Sequence, residues 1–224
     1  QTITPMKNHS GEIINFVSVL KDITELRARQ EQEFQLKMAR EIQQKLLCTG
    51  ISIPDFDIAG KTYSAVETSG DFYDFIRLPD GSYGFIVGDV SGHGVGSALI
   101  MAQTRAYLRA FVKIESDPGV LLTRLNEELE ADLDAELYVT MIFLRLDPNQ
   151  MQVNYINAGH VSGYLMEKNG AIRTELESTG IPLGIMKQYH YETSEMIPLR
   201  PEDMIILLSD GIMEAHALDN TEFG

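Results

Sequence analysis

The chain has 224 residues, 44% hydrophobic and 23% charged, which is the composition of an ordinary globular protein. A net charge of -15 argues against binding to a nucleic-acid backbone, which requires clustered Lys and Arg. No stretch approaches the roughly 20 apolar residues of a membrane span, and no signal-peptide pattern begins the chain. The single cysteine, Cys48, forms no internal disulfide and is expected to pack. We expect a cytoplasmic protein that binds neither nucleic acid nor membrane.

The first residues are typical of the end of another domain. Ser10-Gly11 is a turn signal and residues 13–20 form a β-rich run, but the segment is too short to bury a core alone. The run from Gly11 to Glu25 resembles the last strand and exit motif of a PAS sensor domain. We therefore interpret residues 1–21 as the C-terminal fragment of such a domain.

A long helix is predicted for residues 22–48, which contain no Gly or Pro. Its apolar stripe consists of Ile23, Leu26, Phe34, Met38, Ile42 and Leu46. The polar Gln30 lies inside this stripe, and a polar residue there can set the register of a parallel coiled coil. We predict a helical linker that joins two copies of the chain. The alternative is one amphipathic helix packed on its own domain.

The rest of the chain is predicted to contain a group of strands, then two helices, then a second group of strands. We predict strands at 56–64, 71–78, 83–90, 138–147, 151–157, 161–168, 191–197 and 203–210, and helices at 94–113 and 118–133. Asp117 is the predicted N-cap of the second helix, with Pro118 at its first position. Runs of strands around a helix pair indicate an α+β fold with both helices on one sheet face.

Three aspartates stand where predicted strands meet glycine-rich turns. Asp89 follows an apolar run and opens Gly88–Gly94. Asp210 follows the continuously apolar run 204–208, which predicts a strand buried on both faces. Asp71 begins the strand that forms a hairpin with the Asp89 strand, so the two acids should lie close together. Each aspartate alone has the alternative of a turn or capping residue.

Grouped carboxylates raise one another's pKa, and a hard divalent cation relieves that repulsion. Ligands that are all oxygen suit Mg²⁺ or Mn²⁺ better than zinc or copper. Two such ions lower the pKa of a water held between them, so that the water can attack phosphorus without a protein nucleophile.

Six short blocks occur in the order of a known family. They are SGDFYD, GDVSGHG, NAGH, STGIPLG, LLSDGIMEA and NTEFG. The chain from about Ala39 onward thus resembles the SpoIIE/RsbU-type branch of the PPM metal-dependent protein phosphatases. The resemblance implies a four-layer αββα sandwich over residues 49–224 and two Mn²⁺ or Mg²⁺ ions. It also implies metal ligation by Asp71, Asp89, Asp210 and the Val90 carbonyl, with Asp89 bridging the ions.

The same resemblance implies an activity and a substrate. The activity is that of a protein serine/threonine phosphatase, controlled by the upstream sensor through the helix at 22–48. Its substrate is a phosphorylated STAS-type anti-sigma factor antagonist, so that dephosphorylation releases a sigma factor. The family's last metal-binding acid falls beyond Gly224, and we therefore expect this chain to carry the domain without its C-terminal end.

Other residues near the acids have weaker assignments. His93 and His160 are candidates for protonating the seryl leaving group, although a histidine in a glycine-containing loop more often orders the turn. Asp74 is expected to support the site, with metal ligation as the alternative. The loop Gly180–Gly184 is either a mobile flap or a structural loop.

Two further functions compete with the phosphatase. One is a non-catalytic dimeric signalling module that uses the same fold to bind a partner. The other is a metal-dependent nucleotidyl cyclase, which also needs paired acids. The cyclase requires base- and triphosphate-binding residues that the sequence does not show.

Overall fold

The computed structural model describes residues 2–19, 21–46, 50–62, 69–134 and 136–213. The chain divides into two compact units, residues 1–38 and residues 39–224. The described strands are β1 (Thr2–Lys7), β2 (Ile13–Val19), β3 (Phe72–Arg77), β4 (Tyr83–Val90), β5 (Val139–Asp147), β6 (Gln152–Ala158), β7 (Gly163–Met166), β8 (Ile172–Leu176), β9 (Ile197–Pro198) and β10 (Met204–Ile206). The described helices are α1 (Thr24–Leu46), α2 (Val95–Phe111), α3 (Pro118–Asp132) and α4 (Asp210–Met213).

The first unit contains an antiparallel hairpin of β1 and β2, in which Thr2 pairs with Val19. The Asn8 side chain closes the turn by accepting backbone N–H groups of Ser10 and Glu12. A two-stranded hairpin is marginal by itself, and Phe16 is 64% exposed on its surface. The structure bears out a strand over most of 13–20. The assignment to a PAS domain stays a prediction.

Helix α1 is confirmed over almost the whole predicted range. It begins at Thr24, whose backbone N–H donates to the Asp22 carboxylate, and it extends to Leu46. Cys48 and the predicted helix end at Thr49 lie outside the described residues. The use of α1 as a linker between copies stays a prediction.

The second unit contains two antiparallel sheets and a helix pair. The five-stranded sheet has the order β3-β4-β5-β6-β9, and the three-stranded sheet has the order β10-β7-β8. One apolar cluster lies between the five-stranded sheet and helices α2 and α3, as predicted. A second cluster joins the other face of that sheet to β8 and β10. This is an α+β arrangement of three layers, and the fourth layer of the predicted sandwich stays a prediction.

Local signals explain the helix pair well. The Asp117 side chain accepts the backbone N–H of Val120 and caps α3, and Pro118 occupies the first helical position, both as predicted. Leu121, Leu125 and Leu129 are fully buried and form the inner face of α3. None of the four helices in the described part of the chain has the length and apolar composition of a membrane span.

Two predicted strands are wrong. Described residues 56–62 form no strand, and only one bridge joins Ile53 to Phe56 next to Asp55, whose φ of 68° breaks extended structure. The predicted strand 191–197 is reduced to its last residue, at the start of β9. Tyr191 instead donates its backbone N–H to Thr123 of α3, so the segment packs as a loop.

The strand predicted at 203–210 is shorter than expected and is not buried on both faces. It ends at Ile206 and lies at the edge of its sheet, where Met204 is 49% exposed. A continuously apolar run does not by itself distinguish a central strand from an edge strand. Strand β8 was not predicted, although Ile172 and Leu176 alternate with the charged Arg173 and Glu175 in the pattern of a strand.

Candidate metal centre

The β3–β4 hairpin places the first two acids together. Phe72 pairs with Gly88, so the next residues outward, Asp71 and Asp89, lie beside each other at the open end of the hairpin. Asp89 shares a strand face with Tyr83, Phe85 and Val87, which contact the cluster between the two sheets. Both acids are therefore presented at the junction of the sheets, as the hairpin pattern predicted.

The third acid arrives from the other sheet. Asp210 is the first residue of α4 and follows β10 after a three-residue connection. A carboxylate oxygen of Asp210 lies with oxygens of Asp71 and Asp89 in a group whose members are all within 4.8 Å of one another. We call these three residues the acid centre. Their convergence agrees with the prediction made for them as a set.

Burial and mutual repulsion alter the protonation of the acid centre. Burial, then the charges of Asp71 and Asp210, raise the pKa of Asp89 from 3.8 to about 7. Burial followed by the Asp210 charge also raises the pKa of Asp71, while hydrogen bonds from the Ser209 and Ser69 side chains oppose that rise. Acids held in this state are poised to exchange a proton for a cation near neutral pH.

The donor set fits a hard divalent cation. Asp71 Oδ1 is buried and has no hydrogen-bond partner, which is unusual for a carboxylate oxygen. A Cβ atom at Gly70 would lie 2.6 Å from the Val90 carbonyl oxygen and 2.8 Å from Asp89 Oδ1. Glycine at this position therefore leaves these two oxygens accessible. Carboxylate and carbonyl oxygens are the ligands that Mg²⁺ and Mn²⁺ prefer.

Strand pairing also directs the Val90 carbonyl toward the acid centre. Val139, opposite Val90 on β5, uses its N–H and C=O groups to pair with Leu183 instead. In an antiparallel sheet such a pair exchanges no hydrogen bonds, so the Val90 backbone groups point to the other side, toward Gly70. The predicted backbone ligand is thus placed beside the acids.

His160 connects the two sheets behind the acid centre. Its Nε2 lies 3.0 Å from the Leu208 carbonyl, and its Nδ1 lies 2.8 Å from Thr140 Oγ1. Because a carbonyl only accepts, Nε2 carries the proton and Nδ1 accepts from the hydroxyl. Burial lowers the pKa of His160, which favours the neutral ring. Both nitrogens are occupied, so this geometry favours the ordering role over proton donation to a substrate.

His93 has a different environment. It is exposed in the loop that follows β4, between Gly92 and Gly94, which have φ angles of 84° and 85°. These positive φ angles explain the need for glycine on both sides. Its candidacy as a proton donor stays a prediction.

Asp74 contacts helix α2 and lies outside the acid centre. It is fully buried, and its two oxygens accept hydrogen bonds from Arg109 of α2 at 2.6 Å. Arg105 of the same helix forms an ion pair with Asp74, with Nε 2.9 Å from Oδ2. Side chains alternate between the two faces of a strand, so residues three apart lie on opposite faces. Asp74 therefore points to the helix pair, whereas Asp71 points to the second sheet. These contacts favour the supporting role over the alternative of metal ligation.

The loop Gly180–Gly184 is held by the sheet. Leu183 is fully buried and exchanges two backbone hydrogen bonds with Val139, and the Gly180 N–H donates to the Asn157 carbonyl. These contacts favour the structural interpretation over a mobile flap. The NTEFG block at 220–224 lies outside the described residues.

Sequence reasoning missed four residues that organise the centre. They are Gln43, Ser69, Thr140 and Ser209. Ser69 and Ser209 flank predicted acids, and this adjacency was an available signal. Gln43 and Thr140 act on residues far along the chain, and nothing in their local sequence distinguishes them.

Comparison with known proteins supports the same family. The family model of stage II sporulation protein E (SpoIIE) matches residues 79–224, more than half of the chain. Phosphoserine phosphatase RsbU of Bacillus subtilis is 30% identical over 187 residues, which cover 83% of this chain and 55% of RsbU. Phosphoserine phosphatase RsbP of the same organism is 27% identical, covering 82% of this chain and 46% of RsbP. The chain thus spans about half the length of these curated relatives.

Solved structures show the same fold. The SiaA-PP2C domain of Pseudomonas aeruginosa superposes with a TM-score of 0.69 at 22% identity, covering 88% of this chain and 79% of that one. The RsbU and RsbW domains of Rv1364c from Mycobacterium tuberculosis give a TM-score of 0.60 at 26% identity, covering 69% of this chain and 43% of that one. The chain therefore belongs to the SpoIIE family and has the mixed α/β fold of PP2C-type phosphatase domains.

Proposed function

We propose that the protein is a metal-dependent serine/threonine protein phosphatase. The observation that carries this proposal is the acid centre, three carboxylates within 4.8 Å with a buried oxygen that lacks a partner. The phosphoserine phosphatase names of RsbU and RsbP support the same activity. Two Mn²⁺ or Mg²⁺ ions are the proposed cofactors.

The chain's own residues supply a preorganised set of oxygens. Asp71, Asp89, Asp210 and the Val90 carbonyl would hold the metal, which when bound activates water and stabilises charge on a phosphoryl group. Ligand oxygens of Asp89 and both other acids lie within 4.8 Å of one another, and the charges of those acids raise the pKa of Asp89, so Asp89 would hold a cation together with them. His160 fixes the segment before Asp210 through the Leu208 carbonyl, so the third acid stays within reach of the hairpin.

The proposed substrate is a phosphoserine or phosphothreonine on a STAS-type anti-sigma factor antagonist, in a sigma-factor signalling pathway. The order of the sequence blocks supports the antagonist as substrate, and the names of the two relatives support phosphoserine as the group removed. A protein of this kind acts in the cytoplasm. We further propose that residues 1–21 belong to a PAS sensor and that residues 22–48 link it to the phosphatase domain as a homodimer.

The activity is tested on the full-length protein, with an aryl phosphate as substrate and Mn²⁺ as the metal. Asp89→Ala removes one of the three carboxylates of the acid centre, and we expect turnover to fall by about 10²–10³-fold, as when one electrostatic catalytic group is lost. Asp57→Ala is the matched control, because Asp57 is exposed and outside the acid centre.

The outcome separates the two leading functions. Loss of turnover in Asp89→Ala but not in Asp57→Ala, with both variants folded by circular dichroism, supports the phosphatase. Equal turnover in the wild type and Asp89→Ala contradicts the mechanism. A wild type that binds no Mn²⁺ and hydrolyses no phosphoprotein favours the non-catalytic module.

A further inference from the structure

Thr140 lies directly across the five-stranded sheet from Asp89. The two residues are opposite each other in the antiparallel pair of β4 and β5. Opposite residues of such a pair place their side chains on the same face of the sheet. The Thr140 hydroxyl therefore lies on the face that carries the acid centre.

This hydroxyl holds one nitrogen of the His160 ring. Thr140 Oγ1 is 2.8 Å from His160 Nδ1, and Nε2 of the same ring is 3.0 Å from the Leu208 carbonyl. Because the carbonyl accepts the Nε2 proton, Nδ1 accepts the proton of the hydroxyl. The Asp89 carbonyl lies farther from the hydroxyl, at 3.4 Å. Since a hydroxyl has one proton, Thr140 donates to the nearer Nδ1.

The bond from Thr140 determines how His160 contacts Leu208. A hydrogen bond at one ring nitrogen sets the tautomer and the orientation with which the other nitrogen binds. His160 is only 7% exposed, so water would not readily replace a lost partner. With both nitrogens bonded, the ring is fixed between β5 of the five-stranded sheet and the segment that follows β10.

That segment, Leu208–Asp210, carries the third acid. The Leu208 carbonyl accepts from His160, the Ser209 side chain hydrogen-bonds the Asp71 carboxylate, and Asp210 contributes an oxygen to the acid centre. Because these residues are consecutive, a shift at Leu208 would move both contacts with the acid centre. The series of hydrogen bonds that begins at Thr140 therefore ends at the predicted metal ligands.

We propose that Thr140 is a positioning residue for the metal centre. By donating to His160 Nδ1 it holds the ring in the orientation that binds the Leu208 carbonyl. This keeps Asp210 within reach of the cation that Asp89 would hold, and the effect of Thr140 on the metal is exerted through His160. The part concerning the metal rests on the proposed function.

The proposal is tested in the full-length protein with variants of Thr140 and a matched control. Thr140→Val keeps the shape of the side chain and removes the hydroxyl, whereas Thr140→Ser keeps the hydroxyl. Thr140→Ala replaces the valine variant if that variant does not fold. Thr123→Val is the control, because Thr123 is also partly buried and its hydroxyl accepts the Tyr191 N–H outside the acid centre.

Two measurements follow the metal and the ring separately. Calorimetric titration with Mn²⁺ gives the dissociation constant. NMR of the metal-free protein gives the rate at which the His160 Nε2 proton exchanges with water.

We expect Thr140→Val to weaken Mn²⁺ binding by about 10–100-fold, the usual effect of removing a partner that orients a ligand. Exchange of the His160 Nε2 proton should become about tenfold faster, since the loss of one hydrogen bond favours the open ring by roughly that factor. Thr140→Ser should restore both values, and Thr123→Val should match the wild type. Turnover of Thr140→Val should recover at saturating Mn²⁺, because all the ligands are kept.

A purely structural role predicts that both valine variants lose stability without a selective loss of Mn²⁺ affinity. Wild-type affinity and wild-type exchange in folded Thr140→Val would overturn the proposal, and so would a loss that Thr140→Ser does not restore. Faster exchange with unchanged affinity would refute the effect on the metal centre.

A wild type that binds no Mn²⁺ would refute the proposed function, and the exchange of the Nε2 proton would still decide about Thr140. In that case faster exchange in Thr140→Val, but not in Thr123→Val, supports the hold of Thr140 on His160. Wild-type exchange in Thr140→Val refutes it.

Discussion

At the scale of single residues, the three carboxylates of the acid centre repel one another when ionised, and a bound cation would relieve that repulsion. Asp89 is half-buried, and two neighbouring carboxylates help to raise its pKa from 3.8 to about 7. At a pH between 3.8 and about 7, Asp89 is protonated in the folded protein and ionised in the unfolded chain. The stability of the metal-free protein should therefore fall as pH rises through this window.

Asp89→Asn tests this linkage because it removes the ionisation and keeps the shape of the side chain. In EDTA the variant should be more stable than the wild type at pH 8, by about 1 kcal/mol after allowance for solvent screening, and the difference should vanish near pH 4. Thermal denaturation followed at several pH values measures it. A stability difference that does not change between pH 4 and pH 8 would contradict the assignment to Asp89.

At the scale of elements, one face of the β3–β4 hairpin packs against the helix pair and the other face packs against the second sheet. Asp71 and Asp89 face the second sheet, whereas Asp74 faces α2 and forms the buried ion pairs with Arg105 and Arg109. The arginine side chains are 14% and 41% exposed, so the pairs are partly shielded from water. This arrangement fastens α2 to the strand that presents Asp71.

Removing the carboxylate of Asp74 should destabilise the fold. Asp74→Ala leaves Arg105 without its buried counter-charge, and we expect a loss of about 3–5 kcal/mol in the free energy of unfolding, measured with urea. Glu33→Ala is the control, because its pair with Arg29 is exposed and should contribute less than about 1 kcal/mol. An equal loss in the free energy of unfolding of the two variants would show that the buried Asp74 ion pairs contribute no more to stability than an exposed pair.

At the scale of the whole molecule, α1 presents apolar side chains to solvent along most of its length. Phe34 and Ile42 are each 59% exposed, and Leu26 is 50% exposed. Surfaces of this kind are characteristic of helices that associate with another helix. The choice between this association and the alternative, in which α1 packs on its own domain, stays a prediction.

A parallel homodimer through α1 is the corresponding prediction. Equilibrium sedimentation of the chain should give a dimer, and Phe34→Glu should raise its dissociation constant by about 100-fold, because two unpaired charges would enter the interface. Gln32→Glu adds the same charge on the opposite face of the helix and should leave the dimer intact. A chain that stays monomeric at all practical concentrations would refute the linker proposal.

Much of the local structure was predictable, because its causes lie close together in sequence. The α3 cap at Asp117, the extent of α1 and the hairpin that joins Asp71 to Asp89 depend on near neighbours, and the structure confirms them. The errors concern predicted strands such as 191–197 and the last residues of 203–210. Their pattern indicates burial without indicating which surface buries them.

Short blocks of residues encode the family, the identity of the three acids and the oxygen chemistry they offer, so these features could be deduced from the sequence. Long-range packing brings Asp210 to the hairpin acids, places His160 between the two sheets and sets Gln43 against the segment before Asp71. These contacts link segments that are distant in sequence. Their geometry follows from how two sheets and a helix pack, which no local pattern specifies.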